Sequence, residues 1–278
     1  TMLANPKIAP RLASVHCGMF AAPDEAYRES VKYAEEQEAK AQALAEKEAQ
    51  NNVVRLAPYA EQGVQVYADN RKAAAWGDVV FLVVKPWHVE SVMEEISDVL
   101  DAERQVLVIV AAGLKAEQVR SWVEYNGKCP ATFFALPNTA IAVGASMSFI
   151  TRVCGTDEAE QLVIDVFNAA GETMSVEARQ FGAGMALASC GIAYAMRYVR
   201  AATEGGVELG FKADAAKNIV LQTIKGAALL LQKSGANPEA EIDKVTTPGG
   251  FTIRGLNAME KEGFTNAVIE GLRNSVKF

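Results

Sequence analysis

The chain has 278 residues, half of them hydrophobic, and a formal net charge of −7. That balance argues against a nucleic-acid partner, which needs a basic face, while leaving room for local basic pockets that take an anionic ligand, and no apolar run is long enough to span a bilayer. Four cysteines without C-x-x-C spacing and only two histidines, His16 and His88, argue against a disulfide framework or a metal site.

The start, "TMLANPKIAPRLAS", has basic residues but no continuous apolar core, so no secretory segment is expected and the cytoplasm is the expected location. Pro23 to Gln50 is rich in Ala, Glu, Lys and Gln. Pro23 suits a first helical position, and Asp24 and Glu25 suit the positive end of a helix dipole. This predicts a long, solvated helix. "VVRL" (Val53 to Leu56) and "VQVYA" (Val64 to Ala68) are short strand candidates.

The clear β signal begins at Asp78. "DVVFLVV" (Asp78 to Val84) is apolar throughout, as a strand buried on both faces should be. "HVESVMEEISDVL" places Val89, Val92, Met93, Ile96 and Leu100 at helical spacing. "QVLVIVAAG" (Gln105 to Gly113) reads as a second buried strand, Ala116 to Tyr125 as a helix, and "TFFALP" (Thr132 to Pro137) as a third strand. Strands alternating with helices predict a parallel sheet. "GASMSFITR" (Gly144 to Arg152) and "ETMSV" (Glu172 to Val176) are expected to extend it at its edge. Beyond Glu177 the pattern is helical, over about Arg179 to Leu209, Ala213 to Ser234 and Thr252 to Val276.

The fold class is thus α/β: a Rossmann-like sheet domain over residues 1–176, atypical in 1–60, then an all-helical domain over 177–278. Open α/β sheets bind ligands beyond the carboxyl ends of their strands. Three strands end there in "VVKPW", "VAAGL" and "ALPNTA". Each composition also suits an ordinary turn, but together they make a crevice for a flat cofactor. A fourth stretch, "KVTTPGGFTIRGL" (Lys244 to Leu256), puts Thr247, Pro248, Gly249 and Gly250 before an apolar helix. A helix N-terminus with free N–H groups binds anions, and glycines admit a ligand close to the backbone. A simple capping turn would use the same residues. "ALASCGIAY" (Ala186 to Tyr194) allows close helix packing through Ser189, Cys190 and Gly191.

In this order, "DVVFLVVKP", "VIVAAG", "LPNTA" and above all "DKVTTPGGFTIRGL" resemble pyrroline-5-carboxylate reductases, over roughly Glu61 to Phe278. The resemblance implies hydride transfer from NADPH or NADH to the imine carbon of 1-pyrroline-5-carboxylate, giving L-proline. It implies a homo-oligomer, at least a dimer through the C-terminal helices. By position, Thr247, Gly249 and Gly250 would hold the substrate carboxylate, and Thr252 would lie beside the ring nitrogen as the catalytic donor. Val84, Lys85, Pro86, Ala111, Ala112, Gly113 and Asn138 would line the nicotinamide side, and Asn70 the adenosine ribose. No metal is implied. A protonated imine is already electrophilic, so orientation and a proton donor are sufficient, and the scarcity of histidine does not count against an enzyme.

The chain departs from that family at its N-terminus. Residues 1–60 hold one glycine, Gly18, in place of a G-x-G-x-x-G loop. "FGAGMA" (Phe181 to Ala186) imitates such a loop but opens the helical part, with no strand before it. Phe251 follows the double glycine where the family has a small polar residue. Two other readings therefore stand beside the reductase: a homologue that keeps the fold without binding the cofactor, and a related imine or β-hydroxyacid reductase. Arg55 is the candidate for a 2′-phosphate.

Overall fold

The computed structural model describes residues 60–276 apart from 62 and 125. The chain divides into two compact units, residues 1–73 and 74–278. The described part of the first contains the start of helix α1 (Asn70–Trp76), where the Asp69 carboxylate accepts from the Arg71 N–H at 2.9 Å. Residues 64–68, expected as a strand, form none. Their side chains are largely exposed, so the alternation of "VQVYA" has no buried face to serve. The expected helix over 23–50 and the strand at 53–56 lie outside the described residues, as do His16 and Arg55.

The second unit is built on a five-stranded sheet in the order β1 (Val79–Leu82), β2 (Val106–Ile109), β3 (Ala131–Leu136), β4 (Ser146–Cys154), β5 (Gly171–Ser175). β1, β2 and β3 are parallel, with Leu82 opposite Ile109 and Ile109 opposite Phe134. β4 runs antiparallel to β3, and β5 parallel to β4. The expected parallel sheet is present, extended at its edge as expected, with β3–β4 as its one antiparallel pairing among the described residues. The β3–β4 connection holds only a short 3-10 turn, Thr139–Val143, and a parallel crossover needs a dozen or more residues.

Helices α2 (Val89–Ile96), α3 (Ala116–Val123) and α4 (Asp157–Asn168) cover the sheet. Alternation along the strands splits the core between two faces. Leu107, Ile109 and Phe134 pack with Val89, Met93, Ile96, Val119 and Val123. Val106, Val108, Phe133, Ala135 and Ile150 pack with Val163 and Phe167. Full burial of each such side chain contributes about 1.5–3 kcal/mol. β2 is buried on both faces, as expected. β1 is not: Phe81 is 40% exposed. The reason is position, since β1 is the edge of the sheet among the described residues.

Buried Gln105 is tied in, whereas Thr173 Oγ1 and Ser189 Oγ are buried without a hydrogen-bond partner among the described residues. Gln105 donates through Nε2 to the carbonyls of Ala74 (2.7 Å) and Gly77, while its Oε1 accepts from the Asp101 N–H at 2.7 Å. It thereby pins the end of α1 to the start of β2. Thr156 caps α4, its hydroxyl accepting from the Ala159 N–H at 3.3 Å ahead of three acidic residues in the first turn.

From Ala178 the chain is helical. α5 (Ala178–Gly184) runs into a π-helical turn, Met185–Cys190, and then α6 (Gly191–Glu208). The stretch expected as one helix is therefore continuous but locally unwound. α7 (Ala213–Ser234) matches its expected limits and ends at Gly235 in the left-handed conformation. α8 (Pro238–Val245) was not anticipated; Asn237 caps it and Pro238 opens it. The last expected helix is two, α9 (Phe251–Lys261) and α10 (Phe264–Arg273), broken at Gly263 with φ +82°. Close packing shapes this half. A Cβ at Gly184 would fall 2.9 Å from the Phe149 ring. Of the glycines of "FGAGMA", Gly184 thus serves helix-on-strand packing, while a Cβ at Gly182 would fall 3.0 Å from Val276 Cγ1.

Candidate functional site

The parallel register sets the carboxyl ends of β1, β2 and β3 side by side, and the Val110 N–H donates to the Leu82 carbonyl at 2.9 Å just beyond the paired strands. Three expected loops meet at this edge. Val84 packs partly buried against the core, Lys85 is extended, and Pro86 begins a 3-10 turn whose His88 N–H returns to the Lys85 carbonyl at 2.8 Å. Ala111 is buried and Ala112 half-buried. Gly113 has φ +81°, and a Cβ there would meet no atom within 4 Å. The edge is therefore small-sided and open next to Gly113, which fits the approach of a flat ring.

Asn138 is the most constrained of these residues. Its Oδ1 accepts from the Ala140 N–H at 3.0 Å, capping the Thr139–Val143 turn. Its own N–H donates to Ser146 Oγ at 3.1 Å, and Ser146 Oγ lies 3.1 Å from Ser148 Oγ. Its Nδ2 donates to the Ala188 carbonyl at 3.5 Å, within the π-helical turn. π-helical turns are often found at functional sites because they divert backbone groups from the helical ladder. One residue thus links the turn after β3, Ser146 of β4 and the helical segment "ALASCGIAY". Sequence reasoning passed over Ser146 and Ser148, buried on one face of β4. Their i,i+2 spacing in "SMS" was the available signal, but hydroxyl spacing alone does not reveal burial.

The contact that "ALASCGIAY" makes with the last helix is at Tyr194; a Cβ at Gly191 would meet only the Ala186 carbonyl oxygen, at 3.5 Å. The Tyr194 hydroxyl donates to the Gly271 carbonyl at 3.2 Å and bonds Ser275 Oγ, joining α6 to the end of α10. Tyr194 keeps 38% exposure and is not core.

The Thr247–Gly250 turn closes through the Gly250 N–H donating to the Thr247 carbonyl at 2.9 Å. Gly249 has φ +72°, a region glycine occupies without strain. Gly250 is the N-cap residue of α9, and no side chain caps the helix. A Cβ on Gly250 would sit 2.5 Å from Thr247 Oγ1 and 3.0 Å from its carbonyl oxygen. A side chain at 250 would therefore force Thr247 to shift, and the first N–H groups of α9 are left for an external anion. Thr252 is exposed one residue inside the helix, and Phe251 is 91% exposed.

The crevice residues from 84 to 138 are brought together at one edge of the sheet. The turn at Thr247–Gly250 belongs to a separate part of the unit, where α9 packs chiefly on α10. Asn70 opens α1 in the first unit. Two shallow depressions, of about 410 and 440 Å³, lie elsewhere, around Arg152, Ser175 and Glu177 and around Asp101, Lys128 and Pro130. Neither is lined by a predicted site residue. Among the described residues no group of three or more His, Cys, Asp or Glu could hold a metal, and no helix is long and apolar enough to cross a membrane.

With this geometry in view, known proteins give a consistent picture. A family model for pyrroline-5-carboxylate reductase dimerisation matches residues 178–278, and one for NADP oxidoreductase, coenzyme F420-dependent, matches residues 20–113. Pyrroline-5-carboxylate reductase 2 of Dictyostelium discoideum is 35% identical over 225 residues, covering 76% of this chain and 75% of its own. The Arabidopsis thaliana pyrroline-5-carboxylate reductase is 31% identical, covering 81% and 82%. Among solved structures, a Coxiella burnetii pyrroline-5-carboxylate reductase superposes with TM-score 0.69 at 27% identity, covering 77% and 78%. The Plasmodium falciparum pyrroline carboxylate reductase, with NADP bound, gives 0.68 at 25% identity, covering 74% and 78%. A sheet of mostly parallel strands followed by a helical dimerisation domain, with this level of identity across most of both chains, makes the chain a member of the pyrroline-5-carboxylate reductase family, an oxidoreductase family.

Proposed function

We propose that the protein reduces 1-pyrroline-5-carboxylate to L-proline with NADPH or NADH. The observation that carries this reading is the turn before α9: an uncapped helix N-terminus behind a glycine whose Cβ would crowd Thr247. Such a turn suits a carboxylate, and the family supplies the substrate that bears one. We assign the carboxylate to Thr247, Gly249 and Gly250, and the ring nitrogen to the Thr252 hydroxyl. The dinucleotide, when bound, supplies the hydride. Val84, Lys85, Pro86, Ala111, Ala112, Gly113 and Asn138 would face its nicotinamide, with Asn138 held in place by its bonds to Ala140 and Ala188. Asn70 would meet the adenosine ribose. In this reading residues 1–176 form the cofactor domain and 177–278 the substrate and dimerisation domain.

The work of these residues is binding and orientation. A carboxylate fixed at the α9 N-terminus holds the imine ring by one end and so orients it, which a two-substrate reaction requires. A donor beside the nitrogen stabilises the charge that changes there during reduction, and losing such a donor costs about a hundredfold in rate. Consumption of NADPH, followed by absorbance with 1-pyrroline-5-carboxylate present, tests the proposal. Steady turnover is expected. Folded protein that turns over with neither NADPH nor NADH would instead be a homologue that has lost cofactor chemistry. Gly250→Val should raise KM about tenfold or more, because the new Cβ strikes Thr247. Cofactor affinity should hardly change, and a parallel loss of both would sink the assignment of this turn.

A further inference from the structure

Away from the crevice, at the opposite end of β3, two thiols converge on one backbone oxygen. Cys129 Sγ donates to the Pro130 carbonyl at 3.5 Å and Cys154 Sγ donates to the same oxygen at 3.1 Å. Thr132 Oγ1 donates to it as well, at 2.7 Å. A carbonyl offers two lone pairs, so three donors crowd this acceptor. The backbone holds the thiols together: Cys154 is the register partner of Thr132 at the end of the β3–β4 ladder. Both cysteines are half-buried. The depression of about 440 Å³ is lined by Lys128 and Pro130, the chain neighbours of Cys129.

We propose that Cys129 and Cys154 are a modification site, closing to a reversible intrachain disulfide when the protein meets a low-molecular-weight disulfide. One cysteine thiolate attacks the oxidant's S–S bond, forming a mixed disulfide and releasing one small thiolate. The second cysteine thiolate attacks the protein sulfur of that mixed disulfide and releases the other. Two protein S–H bonds are lost, their protons pass to the released thiolates, and two electrons move from protein sulfur to oxidant sulfur. Sulfurs already sharing one acceptor need side-chain rotation and small backbone adjustment to reach the bonding distance of about 2.05 Å. The ring so closed contains all of β3 and β4 and, between them, Asn138. Oxidation therefore fastens the hairpin that positions Asn138 without touching the crevice itself. Burial, and then the neighbouring Cys154 sulfur, push the Cys129 thiol up to about 12. The bridge accordingly forms slowly at neutral pH and faster in alkali.

The experiment incubates the purified, folded full chain with oxidised glutathione at alkaline pH, then measures intact mass and maps peptides without reduction. The expected result is loss of two hydrogens, a linked pair of peptides carrying Cys129 and Cys154, and a Tm raised by about 5 °C. Glutathione adducts that persist on either residue in the wild type, or a link that forms only in denaturant, would overturn the proposal. Cys129→Ser should retain on Cys154 the adduct that the wild type resolves. If that variant does not fold, the wild-type peptide map decides alone.

Discussion

At the scale of single residues, Asn138 bears more structure than its place in a turn suggests. Its amide oxygen caps one turn and its amide nitrogen reaches the π-helical segment. The two ends can be separated by mutation. Asn138→Asp keeps the capping oxygen and loses the donor to Ala188; Asn138→Ala loses both. We expect Asn138→Ala to lower stability by about 1 kcal/mol, the usual worth of a cap, and Asn138→Asp by less. Both should lower kcat/KM for imine reduction if the bond to Ala188 is what positions the crevice. Denaturant midpoints and steady-state kinetics on the two variants check this, and an Asn138→Asp enzyme of full activity would confine the side chain to capping. The proline, asparagine and threonine of this loop were legible as a turn at a strand's carboxyl end. The bond to Ala188, fifty residues away, was not, because nothing local encodes which distant carbonyl will arrive.

Cys129 makes a second residue-scale prediction. Its thiol rises from 9.0 to about 12. The folded chain then keeps a proton that the unfolded chain releases between those values, so folding stability must fall as pH rises from 9.0 toward about 12. Below 9.0 both states hold the proton and the group contributes no slope. Urea midpoints of wild type and Cys129→Ser, compared across this window, should converge as pH rises. Parallel curves would remove the thiol as the source.

At the scale of elements, the junction of sheet and helices turns on Gly184. A Cβ there would lie 2.9 Å from Phe149, whose ring belongs to the central run of β4. Gly184→Val should overpack this contact and destabilise by about 1–3 kcal/mol, read as a lower denaturant midpoint with an unchanged slope. Pairing Gly184→Val with Phe149→Leu should recover part of the loss; no recovery would mean that backbone, not the ring, sets the limit. The sheet elements were legible because long apolar runs such as "QVLVIV" have few alternatives to a buried strand. The antiparallel β4 was not, since strand propensity is indifferent to direction and only connection length excludes the parallel arrangement. The break at Gly263 was missed for a related reason: one glycine inside a periodic stretch is compatible with a continuing helix or with its end.

At the scale of the whole molecule, the helical half buries little of its own apolar surface. Leu209 is 84% exposed, Leu230 61%, Phe211 54% and Leu229 53%. Ala216 is the buried hydrophobic residue of the long helix α7. Soluble chains rarely leave so much apolar surface open, and the family's dimerisation domain occupies this segment. We expect homo-oligomers that sequester these side chains. Leu230→Glu should shift the protein toward monomer in sedimentation or light scattering and lower its thermal stability, because the helices' packing then depends on protomer concentration. A Leu230→Glu oligomer of unchanged size would exclude that position from the contact.

The sequence by itself determined the α/β class, the positions of β1, β2 and β3, the limits of α7 and the TPGG turn. Each rests on a signal carried within a dozen neighbouring residues: a buried run, a helical period, a proline followed by paired glycines. The tertiary structure alone decided that β4 reverses direction, that Asn138 reaches the π-helical turn, that Gly184 seats a helix on Phe149, and that Cys129 meets Cys154 at one carbonyl. Those are contacts between residues distant in the chain, and their energies depend on which surfaces folding brings face to face, a quantity that local propensity and periodicity do not contain.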